Sequence, residues 1–168
     1  MAQTQLRRSP RGPPQPTNFE LRMYETLRNS ENNVTELRPK NCGVPKVYGF
    51  EELAVAVLYS TTVKVLYLQS QPYLDDEALR MITFALQHRP NVTGINLGEL
   101  PNVTQAGWDD FIQRVPFTGL IDCYAQPAGG GPDEQRCAQL KRAILYNRMR
   151  DKVTEGVHKS MWRNCDYY

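Results

Sequence analysis

Five apolar columns recur along this chain at a step of 29 residues. Val34, Val63 and Val92 form the first, and Leu37, Leu66 and Ile95 the second. The third holds Phe50, Leu79, Trp108 and Cys137; the fourth Leu53, Ile82, Phe111 and Leu140; the fifth Val57, Leu86, Val115 and Ile144. A fixed period of about 20–50 residues marks a stacked repeat. Each unit exposes an apolar face that only its neighbours can cover, so the units must pile into one shared core.

Within each unit the order is turn, short strand, loop, helix. The strands read as Val34–Leu37, Val63–Leu68 and Val92–Leu97, with apolar first, fourth and sixth positions, except that Pro39 takes the sixth place in the first unit. The helices read as Phe50–Ser60, Asp75–His88, Gln105–Val115 and Asp133–Asn147. A leading helix opens at Thr17 or Asn18, either of which can cap it, with Glu20 in its first turn. Its stripe of Phe19, Met23 and Leu27 stops at the turn formers Asn29–Asn33. The fourth strand admits two registers. Leu120 copies the Ile95 context but lies 25 residues on, whereas Ile121 keeps the 29-residue step from Val92; a Gly-rich connection, Pro127–Pro132, then follows. Short strand–helix links wind one way only. The expected fold class is therefore an α/β solenoid of about four strand–helix repeats with an N-terminal capping helix, its parallel sheet inside and its helices outside. We expect an extended Pro/Arg-rich tail over 1–17, a repeat domain over 18–147 and a basic aromatic tail over 148–168.

Charge is divided. Residues 1–17 carry three arginines and no acid; Glu20–Glu134 carry 15 acids against nine bases; Arg136 to the end carry eight bases against three acids. An acidic body between basic ends does not suit a nucleic-acid partner. No stretch approaches the ~18 apolar residues of a membrane span. The N-terminal segment lacks the apolar region of a secretory signal, and its prolines oppose the amphipathic helix of a mitochondrial presequence. An intracellular site, cytoplasmic or cytoskeletal, is the expectation, with a mitochondrial one the weaker alternative. Cys42, Cys123, Cys137 and Cys165 are widely spaced, which favours reduced thiols, and Cys137 stands in an apolar column. The NxT triplets at Asn33 and Asn91 precede strands at nearly equivalent repeat positions and read as turns.

Little of the sequence suggests chemistry. Asp75, Asp76 and Glu77 are adjacent at a helix start, where the dipole favours acids. His88 and His158 lack ligand-spaced partners. Ser60 and Ser70 have no nearby base. The run Gly129–Gly131 lacks the Lys-Ser/Thr that a phosphate loop requires. No enzyme activity, metal, cofactor or small-molecule substrate is expected.

Val63–Pro72, Leu74–Leu79 and Thr83–Thr93 together resemble a leucine-rich repeat of the ribonuclease-inhibitor type. The order of parts is similar to the C-terminal repeat domain of tropomodulin and leiomodin. A leading helix ends in an Asn-rich turn before the first strand (Arg28–Leu37), and a Gly131-Pro132 element precedes a last helix and basic end (Leu140–Lys152). The resemblance spans roughly residues 19–152 and implies a curved, leucine-rich scaffold that binds protein within a cytoskeletal or similarly large assembly. Gln71 and Leu100 replace the Asn that the repeat type carries after its strand. The filament-binding N-terminal region of that family has no counterpart in a 17-residue tail, so end capping does not carry over.

Two surfaces stand out for a multi-subunit protein partner. On the strands, residues between the apolar positions face away from the core. Glu36, Arg38, Lys64, Tyr67 and Asn96 are the candidates there, beside Thr35, Val65, Thr93 and Gly94. In the C-terminal tail, Arg148, Arg150, Trp162, Arg163, Tyr167 and Tyr168 combine cations with aromatic anchors. Met149, Val153, Val157 and Met161 fit a helical stripe there that either docks on the last helix or enters a partner. The expected function is a non-catalytic interaction scaffold; the alternative is a basic-tailed adaptor for an anionic surface, nucleic acid or membrane.

Overall fold

The computed structural model describes residues 15–29, 33–42, 44, 46–127 and 130–163. The leading helix α1 (Asn18–Asn29) is followed by β1 (Glu36–Leu37), α2 (Phe50–Tyr59), β2 (Val65–Tyr67), α3 (Asp76–Gln87), β3 (Gly94–Gly98), α4 (Gln105–Arg114), β4 (Asp122–Ala125) and α5 (Glu134–Arg163). All four strands are parallel in the order β1-β2-β3-β4. Each helix packs on the next along the chain. The architecture is a leucine-rich-repeat solenoid with the strands on one side and the helices on the other.

The apolar columns are its core. Leu53, Ile82, Phe111 and Leu140 are all at most 5% exposed, and so are Phe50, Leu79 and Trp108. The Trp108 and Phe111 rings meet edge-on at 6.0 Å and 79°. Leu37, Leu66 and Ile95 are also buried, and they stand side by side through the register pairs Leu37↔Leu66 and Leu66↔Ile95. Cys137 departs from expectation. It is only partly buried, and its thiol lies 3.4 Å from the Pro132 carbonyl oxygen.

Polar ladders tie the coils together. Asn91 Nδ2 donates to the Val63 carbonyl at 2.9 Å, and Asn102 Nδ2 to that of Pro72. The buried Gln71 accepts the Val47 N–H at 2.8 Å, so the residue that departs from the repeat pattern supplies a cross-coil bond. The acids at the start of α3 are structural: Asp75 caps the helix through the Ala78 N–H at 2.9 Å, and Asp76 binds Thr104 of the next coil through both oxygens. Asn33, before β1, sits at φ 48°, a left-handed position that Asn tolerates.

The N-terminal cap is built around one carboxylate. Thr17 and Glu20 form a reciprocal capping box, Thr17 N to Glu20 Oε2 at 2.7 Å and Glu20 N to Thr17 Oγ1 at 3.3 Å. Gly49 precedes α2 with no side chain to cap it, and Glu20 serves that helix too. Its Oε1 accepts the N–H groups of Tyr48 at 2.7 Å and Gly49 at 3.3 Å, and the Tyr24 hydroxyl at 3.2 Å. Burial alone would raise the Glu20 carboxyl. The backbone and side-chain hydrogen bonds of Thr17, with those of Tyr48 and Gly49, outweigh it and hold the group below 4.5.

The fourth coil follows neither expected register. Gly94 pairs with Asp122 and Ile95 with Cys123, a step of 28. The helix columns still keep 29 because the missing residue is lost before the strand and regained after it. Leu86 to Val92 spans six positions but Val115 to Leu120 only five, whereas Ile95 to Trp108 spans 13 and Cys123 to Cys137 spans 14. Gly119 permits the shortened turn: a Cβ there would lie 2.0 Å from the Pro90 carbonyl oxygen. A 3-10 turn, Val115–Phe117, leads into it.

The last helix also differs from expectation. α5 runs 30 residues without a break at Asn147, so residues 148–163 extend it rather than folding back on it.

Candidate functional site

The strand face is organised in rows set by register. One row is Glu36, Val65, Gly94 and Asp122; the next is Tyr67, Asn96 and Tyr124, with Arg38 completing it beyond β1. Arg38 lies with its guanidinium carbon 3.7 Å from the Tyr67 ring centroid, and its Nη2 is 2.9 Å from Glu36 Oε2. Glu36, Arg38, Tyr67 and Asn96 are thus brought together as a contiguous surface. Lys64 is exposed one residue before β2, outside these register rows. Asn96 Oδ1 is shielded from solvent and has no hydrogen-bond partner among the described residues. Gly94 lies in the outward row but is buried, because Val65 leans across it; a Cβ at Gly94 would lie 3.2 Å from the Val65 methyl groups.

Tyr124 is the residue that sequence reasoning missed. It extends the Tyr67–Asn96 row and is 55% exposed. Its place follows from the 28-residue step of the fourth strand, which the letters alone did not reveal. Beside it, between β4 and α5, opens a cleft of about 540 Å³ lined by Cys123, Leu140, Lys141 and Ile144.

The tail candidates divide differently. Arg150 is turned onto its own chain, donating to the Pro116 carbonyl at 2.7 Å and that of Thr118 at 2.8 Å. Arg148 Nε donates to the Ile121 carbonyl at 2.5 Å, at the start of the edge strand, and its Nη2 stands 3.8 Å from Asp122. Both arginines therefore root α5 in the body. Nearby Asn147 is fully buried and donates to the Val115 and Leu120 carbonyls at 2.9 Å each. The contacts expected of Trp162, Arg163, Tyr167 and Tyr168 lie outside the described side chains.

Among the described residues, no group of three or more His, Cys, Asp or Glu is arranged to hold a metal ion. No helix among them is long and apolar enough to cross a membrane. The strands carry a polar, aromatic face over a stacked-repeat core.

No family model matches the sequence, and no curated protein matches it in sequence. Solved structures do match in fold. The chain is similar to leiomodin-1 actin-binding site 2, with a TM-score of 0.61 at 13% identity over 88% of this chain and 99% of that one. A further likeness is to the tropomodulin C-terminal domain of Caenorhabditis elegans, with a TM-score of 0.47 at 11% identity over 83% of this chain and 98% of that one. The resemblance to leiomodin read from the order of parts is thus a likeness of fold.

Proposed function

We propose that the chain is a non-catalytic protein-binding scaffold of a cytoskeletal assembly, and that it holds its partner on the strand face. The row of Arg38, Tyr67, Asn96 and Tyr124 carries this reading. Two tyrosines flank a carboxamide whose oxygen has no hydrogen-bond partner among the described residues, and a guanidinium sits beside them. Aromatic residues and Arg concentrate interface energy. Arg148 supports the end of this face by covering the start of β4.

Leiomodin-1, similar in fold, is described by an actin-binding site, so actin is the first partner to test. Co-sedimentation with actin filaments and titration of actin monomer should both be run. Tyr67→Ala and Tyr124→Ala are each expected to weaken binding about tenfold, or ~1.4 kcal/mol. Full affinity in the double variant would reject the strand face as the site; absence of any binding would reject actin. Binding to polyanions or anionic vesicles that falls steeply with salt would instead favour an adaptor for an anionic surface.

A further inference from the structure

The outer surface of a solenoid's helices is ordinarily polar, but here two apolar areas are left bare. The first is on α1–α3. Leu21 is 41% exposed, Val55 39% and Phe84 52%. The column holding Val55 and Phe84 continues as Gln113 and Arg142, so it is apolar at the N-terminal end only. Two clefts flank Val55. One of about 420 Å³ lies between α1 and α2, with Leu21, Tyr24, Val55 and Ala56 in its lining. The other, of about 430 Å³, lies between α2 and α3, with Val55, Leu58, Met81 and Phe84. Glu51 borders both, and Glu25 and Glu52 border the first. The bases around them are already engaged. Arg28 lies over the Tyr59 ring, Arg80 pairs with Glu77 and Arg114 pairs with Asp110. Among the described residues Glu25, Glu51 and Glu52 have no such pairing, so the groove keeps an acidic rim.

The second area is a ridge on α5. Leu145, Tyr146, Met149 and Val153 are 55–66% exposed, on the side away from the buried Leu140, Ile144 and Asn147. Lys141 and Lys152, eleven residues or about three turns apart, stand exposed along one flank of that ridge. The sequence continues the pattern with Val157, Met161 and Lys159. Ridge and groove are therefore opposite in shape and in charge.

We propose that the ridge of α5 in one copy of this chain docks into the α1–α3 groove of a second copy. The fit has a length scale. Leu145 and Val153 lie eight residues apart, ~12 Å along the helix. Neighbouring interhelical clefts lie about one helix spacing apart, ~8–10 Å, so successive apolar knobs of the ridge can enter successive clefts. Charge steers the same pairing, since the basic flank meets the acidic rim. The two areas cannot meet within one molecule. α1 and α2 cover the β1 end of the sheet, α5 lies beyond β4, and Asn147 and Arg150 fix α5 to the body. Two different patches at opposite ends give a heterologous contact, which repeats head to tail instead of closing as a symmetric pair. The proposal does not depend on what the strand face binds.

Sedimentation equilibrium of the full chain across a wide concentration range tests it. The wild type should show a mass that rises beyond the dimer as concentration rises. Phe84→Asp removes the groove and Met149→Asp the ridge. Each variant should weaken association at least about tenfold and stay monomeric where the wild type does not. Mixed in equal amounts, the two variants retain one sound groove and one sound ridge between them, so they should form a dimer and nothing larger. A wild type that is monomeric throughout, variants that still assemble, or a mixture that recovers no dimer would each overturn the proposal. Both side chains are exposed, so thermal unfolding should match the wild type. If either variant fails to fold, Val55→Asp and Val153→Asp put the same test to the same two patches.

Discussion

Replacing Glu20 by Gln tests whether one carboxylate joins the N-terminal helix to the first repeat. The side chain is fully buried and accepts four hydrogen bonds, from Thr17 N, Tyr24 Oη, Tyr48 N and Gly49 N. Gln is nearly isosteric but has one acceptor oxygen. If that oxygen keeps the Tyr24, Tyr48 and Gly49 contacts, the new amide N–H₂ faces the Thr17 N–H, donor against donor. A buried donor left unpaired costs about 1–3 kcal/mol, and each remaining bond loses its charge assistance. The favourable interaction of a carboxylate with two helix N-termini, about 0.3–1 kcal/mol each, is also lost. Together these give an expected destabilisation of about 3–5 kcal/mol, read by urea unfolding near neutral pH. The pH dependence supplies a second readout. Because the folded carboxyl is held below its ordinary 4.5, its stabilisation is complete above that value and disappears as pH falls through the folded one. The gap between wild type and Glu20→Gln should therefore narrow below 4.5 and be widest above it. A loss under ~1 kcal/mol, or a gap that stays constant into acid, would refute the capping role.

Phe111→Ala should cost about 3–5 kcal/mol in the same assay, because it opens a cavity under Trp108 in the middle coil; a loss under ~1 kcal/mol would contradict its place in the core. The Cys123 thiol is pushed up to about 12, first by burial and then by the Asp122 charge. It should therefore resist iodoacetamide in the native state at mildly alkaline pH and react once urea unfolds the chain; native labelling at the rate of a free thiol would count against its placement on the helix-facing side of β4.

Much of the fold was legible because a stacked repeat writes its packing into spacing. Phe50, Leu79 and Trp108 occupy equivalent places in the core, as do Leu53, Ile82, Phe111 and Leu140, and the step alone identified them. The strand face was partly legible for the same reason, since alternation across a strand marks Tyr67 and Asn96 once Leu66 and Ile95 are inward. Tyr124 was hidden by a compensated shift. The one-residue deletion before β4 depends on how near Gly119 comes to the Pro90 carbonyl, a contact between coils that no local pattern records. The role of Glu20 was hidden likewise. Its capping box is local, but its bonds to Tyr48 and Gly49 cross 28 and 29 residues. Arg148 and Arg150 read as free cations because sequence shows charge and not which backbone carbonyls lie within reach.

One consequence follows from the length of α5. A helix of 30 residues measures about 45 Å, and its middle is clamped to the solenoid by Asn147, Arg148 and Arg150. Beyond that clamp it continues as one unbroken rod, like the arm of a gauge. Anything gripped at that tip is spaced from whatever rests on the strands by an interval written in the number of helical turns, and inserting or deleting a single turn would reset it.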